Sequence, residues 1–197
     1  TRRTGVSNSA NNYIPAIGHE PNATQTDSEI VFPVDMTCSG LRIILNASPG
    51  AGKSYVFDVV VNGASGSALD CTISDLGLSC SDTTDTLSIV AGDEVSIQVA
   101  PVSTPTSRVV RGGLICAPTD VEQFIMAWSS TTALNTTAIR YAPWSGSTGP
   151  AASESNTFQS GWSMHVSAMY VEFNTAPDTG AGTQAWEVVA NLQRSST

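Results

Sequence analysis

Residues 46–56 read NASPGAGKSYV and contain A-x-x-x-x-G-K-S, the relaxed form of a phosphate-binding loop. Such a loop cradles a nucleotide because a strand enters a glycine-rich turn whose amides point inward, a lysine reaches the phosphates, and a helix N-terminus comes next. The entering strand is present as LRIILN. After Ser54 the chain runs YVFDVVVNG, in which Tyr55, Phe57, Val59 and Val61 alternate against Val56, Asp58 and Val60. A two-residue period built from β-branched and aromatic side chains is the signature of a strand. Without a helix, Lys53 and Ser54 lose their phosphate-binding context. Pro49, Gly50 and Gly52 are predicted instead to form a tight connection between antiparallel strands.

The remaining chemistry-bearing residues are scattered. The two histidines are His19, in the loop IGHEP beside Glu20, and His165, in SMHVSAMY. No G-x-S-x-G elbow accompanies either, so nucleophilic catalysis has no visible constellation and no catalytic residue is assigned. Asp75, Asp82, Asp85 and Asp93 lie in turns that a β-sandwich could gather around calcium, but the D-x-[DN]-x-[DN]-G pattern is missing and solvated turn aspartates are the plainer reading. No metal site or cofactor is expected. Trp128, Trp144, Trp162 and Trp186 all fall in the second half. Trp144, in the polar loop YAPWSGSTGP, is the one read as a ligand or partner contact, since an exposed indole stacks on sugars or packs into an interface.

Four cysteines complete the set: Cys38, Cys71, Cys80 and Cys116. Cys71 and Cys80 flank TISDLGLS, and a hairpin closing near Asp75 to Gly77 would bring them across neighbouring strands, a geometry that permits a disulfide. Cys38 and Cys116 are then the remaining pair. Zinc is the rival use, and neither C-x-x-C spacing nor an adjacent histidine supports it.

Composition narrows the partners. At 197 residues and 41% hydrophobic the chain has material for a core that needs no metal. Charged residues are 13% of the chain, the net charge is −9 and Lys53 is the single lysine, so no basic face exists to track a nucleic acid. No apolar run reaches membrane-spanning length, and TRRTGVSNSANN lacks the apolar core of a signal peptide. A soluble chain with no membrane partner is expected.

From Glu29 to Val102 short strands alternate with turn clusters: EIVFPV, GLRIILNA, SYVFDVVVN, ALDCTIS, DTLSIV and EVSIQVAPV. Asn62-Gly63 and Gly92-Asp93 supply turn chemistry between them. This spacing predicts an all-β, antiparallel sandwich over residues 1–118. A helix is considered only at PTDVEQFIMAW, where FIMAWSS reads equally well as a strand.

Residues 119–197 are predicted to hold a second, partial β repeat. YIPAIG, the SEIVFPV strand, the Pro and Gly-Ala-Gly turn, and a strand ending in Asn find a faint echo in YAPWSG, the second turn APDTGAGTQAW, and WEVVAN. Thr183 and Gln184 stand where the first copy has Lys53 and Ser54, which marks the loop as a turn rather than a nucleotide site. Nothing in the second copy matches ALDCTIS or AGDEVSIQV. Either both halves form one enlarged sheet system, or a neighbouring subunit completes the second half, or the chain continues. An unpaired sheet edge invites pairing, so a homo-oligomer is expected.

The run GAGKSYVFDVVVNG, LDCTIS and CSDTTDTLSIVAGDEVSIQVAP resembles a jelly-roll module of structural proteins of tailed bacteriophages. VAGDEVSIQV is also similar to the last strands of trimeric complement-type and tumour-necrosis-type heads. The resemblance covers residues 30–102 and rests on Gly50, Gly52, Lys53, Ser54, Asn62, Gly63, Cys71, Cys80, Gly92 and Asp93, which shape turns and one disulfide. It implies a virion location, a role in capsid decoration, tail or fibre, trimeric or ring-like self-assembly, and contacts with other virion proteins. It brings no catalytic residues. The alternative is a carbohydrate- or receptor-binding module that uses Trp144 and the acidic loops on a host-surface glycan.

Overall fold

The computed structural model describes residues 5–16 and 21–120, together with 169 and 171. Nine strands run in order: β1 (Asn12–Pro15), β2 (Ile30–Val31), β3 (Met36–Leu45), β4 (Ser54–Val61), β5 (Asp70–Ser74), β6 (Ser79–Asp82), β7 (Leu87–Ile89), β8 (Glu94–Val102) and β9 (Val110–Pro118). Among the described residues there is no helix. The strands make two antiparallel sheets packed on one another, an all-β sandwich.

In the first sheet β8 lies between β4 and an interrupted edge made of β1 and β2 in tandem, and β5 forms the far edge beyond β4. In the second sheet β3 is central. Strand β9 pairs with it on one side, and β6 and β7 share the other. The break between β6 and β7 arises from turn chemistry. Asp82 ends β6 by accepting from the amides of Thr84 at 3.0 Å and Asp85 at 3.2 Å, a local bond that competes with continued pairing.

Alternation builds the core. Tyr55, Phe57 and Val59 of β4, and Val95, Ile97 and Val99 of β8, turn inward to meet Leu41, Ile43 and Leu45 of β3. Each large side chain buried this way stabilises the fold by about 1.5–3 kcal/mol. Strand β3 would lose its phase after Cys38, because Gly40 and Leu41 are both buried. A register shift between Cys38 and Gly40 absorbs one residue and keeps Leu41, Ile43 and Leu45 on the core face.

The outer face of the first sheet is covered in part. Asp58 points away from the core yet is buried, because the segment after β4 folds back onto it: Ser67 donates from its backbone N–H at 3.1 Å and from its hydroxyl at 3.0 Å, and Gly66 N–H donates as well. Ahead of that segment, Asn62 (φ 50°) and Gly63 (φ 77°) make a two-residue turn closed by Ala64 N–H donating to Val61 C=O at 2.9 Å. Positive φ at both central positions is what a type I′ turn requires, and Asn-Gly supplies it at low cost.

The connection through Pro49, Gly50 and Gly52 differs from the expectation of a turn between paired strands. β3 and β4 belong to opposite sheets, so this loop is a crossover from one layer to the other. Adjacent β-like runs in sequence do not have to be neighbours in a sheet, because each inward face needs a facing layer as well as an edge partner. Strands β1, β6 and β9 also lie outside the strands read from sequence. β1 and β6 are four residues each, and β9 carries Gly112-Gly113 in its interior, so none shows a clean alternating signal.

Candidate functional site

The glycine-rich loop sits at the end of the sandwich where β3 leaves and β4 begins. Strand β4 starts at Ser54, so the residues after Lys53 are extended and no helix dipole faces the loop. Gly50 (φ 109°) and Gly52 (φ 70°) hold the left-handed conformations that open the loop's amides to one side. Those amides are occupied from within the chain. Gly52 N–H donates to Asp75 Oδ1 at 2.7 Å and Gly50 N–H to Asp75 C=O at 3.1 Å. Asp75, itself at φ 54°, returns its own N–H to Lys53 C=O at 2.9 Å. The arrangement is a clasp between the crossover and the β5–β6 turn.

Around the clasp, Thr106 N–H donates to Pro49 C=O at 3.0 Å and Arg108 Nε to Ser48 C=O at 2.7 Å. The Tyr55 hydroxyl donates to Thr106 C=O at 3.2 Å. Burial pushes the Tyr55 phenol up from its ordinary pKa, and the Arg108 guanidinium opposes that rise.

The opposite end of the sandwich carries a second clasp. Asn62 Nδ2 donates to Asp93 Oδ1 at 2.7 Å, Asn62 Oδ1 accepts from Glu94 N–H at 2.9 Å, and Asp93 Oδ2 accepts from Val90 N–H at 2.8 Å. Gly92 (φ 97°) makes the turn between β7 and β8. The residues in both clasps read from sequence as separate turn signals. Sequence does not reveal that each turn is tied to another turn far away in the chain.

The aspartates read as calcium candidates are divided among three places: Asp75 at one end, Asp93 at the other, and Asp82 with Asp85 on the flank between β6 and β7. No group of three or more His, Cys, Asp or Glu side chains suited to a metal occurs among the described residues. Asp82 is buried. Its Oδ1 collects the amides of Thr84 and Asp85, and hydrogen bonding led by the Thr84 amide holds its carboxyl below the usual range, while its Oδ2 makes no well-formed hydrogen bond among the described residues. His19, His165, Trp128, Trp144, Trp162 and Trp186 lie outside the described residues, as does the helix-or-strand segment after Asp120.

All four cysteines are in disulfides. Cys71 on β5 joins Cys80 on β6, which ties the two sheets together along one flank, and Cys38 on β3 joins Cys116, its register partner on β9.

The β5–β6 turn presents Leu76, 76% exposed, and Leu78, 52% exposed. On the opposite flank, where β1 faces β9, an open cleft of about 160 Å³ is lined by Ile14, Ile43, Ile97, Val110 and Leu114 together with residues 111–113 of β9. No protein-family model, curated protein or solved structure matches this chain.

Proposed function

We propose that this chain is a structural, self-associating β-sandwich of an extracellular particle, a jelly-roll-like component of a bacteriophage virion that decorates a capsid or builds a tail or fibre. The observation that carries the reading is the way the molecule uses its polar groups. The loop amides at Gly50 and Gly52 and the carboxylates of Asp58, Asp75 and Asp93 are all engaged in fastening one turn or segment to another. Such cross-fastening makes a rigid body with fixed surfaces.

Two disulfides support an oxidising compartment, where secreted and particle-borne proteins keep such bonds. Exposed Leu76 and Leu78 support association, since large apolar side chains left in water at one turn gain most by being covered. The sequence resemblance over residues 30–102 supplies the virion setting, and the net charge of −9 suits a surface that resists nonspecific adhesion.

The test is the state of the purified protein. Light scattering across a concentration series, with electron microscopy of the largest species, is expected to show a discrete ring, trimer or lattice. A monodisperse monomer at every concentration would remove self-assembly from the reading.

A further inference from the structure

We propose that β9 of one copy pairs antiparallel with β9 of a second copy across a two-fold axis at Leu114, so that the sheet containing β3 and β9 runs on through both molecules. This contact rests on the self-association reading and gives it a specific surface.

Among the described residues the other sheet edges are short or closed. Strands β2, β6 and β7 have two, four and three residues. Strand β1 ends in Pro15, and on its free side Tyr13 exchanges backbone bonds with Asn22 at 2.7 and 2.8 Å. Strand β5 is tied to β6 by Cys71–Cys80. Strand β9 differs: it is nine residues long, β3 lies on one side of it, and no described strand lies on the other. It has no lysine, and no proline before its last residue, so it lacks the usual guards of an exposed edge.

The hydrogen-bond phase identifies the groups left open. Asn46 N–H donates to Val109 C=O at 3.0 Å and Thr119 N–H to Asp35 C=O at 2.9 Å, so the odd-numbered residues from 109 to 119 turn their backbone groups toward β3. Val110, Gly112, Leu114 and Cys116 turn theirs outward. Gly112 shows that this side is uncovered. A Cβ there would lie 2.7 Å from Ile43 Cδ1 on the core side, yet the residue is exposed, so its exposure comes from the edge. The open cleft beside residues 110–114 leaves the same stretch accessible. A row of unpaired amides and carbonyls is a template for a further strand.

The strand is complementary to itself. Val6 N–H donates to Arg108 C=O at 2.8 Å and closes the edge there, which leaves Val110–Pro118 for an incoming strand. A two-fold axis at Leu114 matches this stretch end to end, with Gly112 opposite Cys116 and Val110 opposite Pro118, all residues whose backbone groups point outward; only Pro118 lacks a donor. On the outer face Ile115, 61% exposed, comes opposite Gly113 of the second copy, where a Cβ would meet nothing within 4 Å. The space over the glycine takes the isoleucine, a cross-strand pair made twice by the symmetry. Arg111 is the single charge in β9 and comes opposite Ala117. Its twin lies six positions along the ladder, about 20 Å away, whereas Asp120 of the second copy lies three positions along, about 10 Å away. Screening over about 10 Å leaves the attraction ahead of the repulsion. A two-fold contact closes on itself, so it supplies a dimer from which a ring or lattice is built through a second surface.

The experiment uses the full chain and three exposed positions, each variant checked for intact native disulfides and a native β spectrum. Analytical ultracentrifugation is expected to show self-association of the wild type, weakened about ten- to a hundredfold in Ile115→Lys, the scale of an apolar side chain withdrawn from both halves of a symmetric contact. Cross-linking reads the register. Gly113 and Ile115 of the two copies form a non-hydrogen-bonded pair with Cα atoms about 4.5 Å apart, a separation that a disulfide spans. Gly113→Cys mixed with Ile115→Cys is therefore expected to give a disulfide-linked heterodimer on mild oxidation, located by peptide mapping, in preference to either homodimer. A predominant link between two copies of Gly113→Cys would overturn the axis at Leu114. If the wild type associates while Ile115→Lys matches it and no cross-link forms, the β9 contact is wrong and self-assembly proceeds through another surface. A wild type that stays monomeric overturns this contact and the self-association reading together.

Discussion

The carboxylate of Asp75 accepts the amide hydrogen of Gly52 at 2.7 Å, across 23 residues of sequence. This single bond converts a phosphate-loop motif into a structural clasp. Replacing Asp75 with alanine removes a charge-assisted acceptor and places a Cβ-bearing residue without local side-chain bonding at φ 54°. The expected loss is about 2–4 kcal/mol of unfolding free energy, read by urea denaturation. Asp75→Asn keeps an acceptor and tolerates the left-handed region, so it is expected to cost about 1 kcal/mol or less. Lys53→Ala is expected to change stability by no more than about 0.5 kcal/mol.

The Asn62–Asp93 clasp is open to the same measurement. Asp93→Ala deprives both Asn62 Nδ2 and Val90 N–H of their acceptor. The exposed setting lets water replace part of that loss, so about 1–2 kcal/mol is expected. A drop below about 0.3 kcal/mol, well under the net worth of one hydrogen bond, would show that the clasp is decorative.

Ser96 is fully buried, and its hydroxyl has no hydrogen-bond partner among the described residues. Ser96→Ala removes an unsatisfied polar atom at little cost in volume. Stability is expected to stay level or to rise by up to about 1 kcal/mol, the opposite of the usual sign for a core truncation.

The disulfides differ in the loops they close: 78 residues apart for Cys38–Cys116 and 9 for Cys71–Cys80. Loop-closure entropy then assigns about 4.5 kcal/mol to the first and about 2.6 kcal/mol to the second. Paired Cys→Ser variants, compared by denaturant midpoint at constant slope, are expected to fall in that order.

Acid and alkali act through different groups. The Asp82 carboxyl titrates lower in the fold than in the unfolded chain, so its contribution is present above the ordinary aspartate pKa and disappears as pH falls through the folded value. The Tyr55 phenol titrates higher in the fold, so stability holds below the ordinary tyrosine pKa and declines as pH rises above it, where the unfolded chain ionises first. Asp82→Asn is expected to flatten the acid limb of a stability–pH curve. Tyr55→Phe is expected to flatten the alkaline limb, at a cost of about 1 kcal/mol at neutral pH for the lost bond to Thr106.

Much of the sandwich is legible in the chain because strand alternation is a local property. SYVFDVVV and EVSIQVAPV show their buried faces without any knowledge of neighbours, and the observed β4 and β8 begin at the residues where those runs begin. The Asn62-Gly63 and Gly92-Asp93 turns are legible for the same reason, since positive φ is a demand made on single residues. Strand β9 is not, because its pairing with β3 compensates for two interior glycines that offer no side-chain signal.

Pairing and fastening belong to the tertiary structure. That the Gly50–Gly52 loop crosses between sheets, that Asp75 fills it, and that Asp93 reaches Asn62 instead of gathering with the other aspartates all depend on which strands share an edge. Period-two alternation tells each strand which face to bury and is silent about its neighbour, because any antiparallel partner satisfies the same backbone hydrogen bonds. Only simultaneous packing of both layers selects among those partners, and that selection fixes the position of every polar clasp.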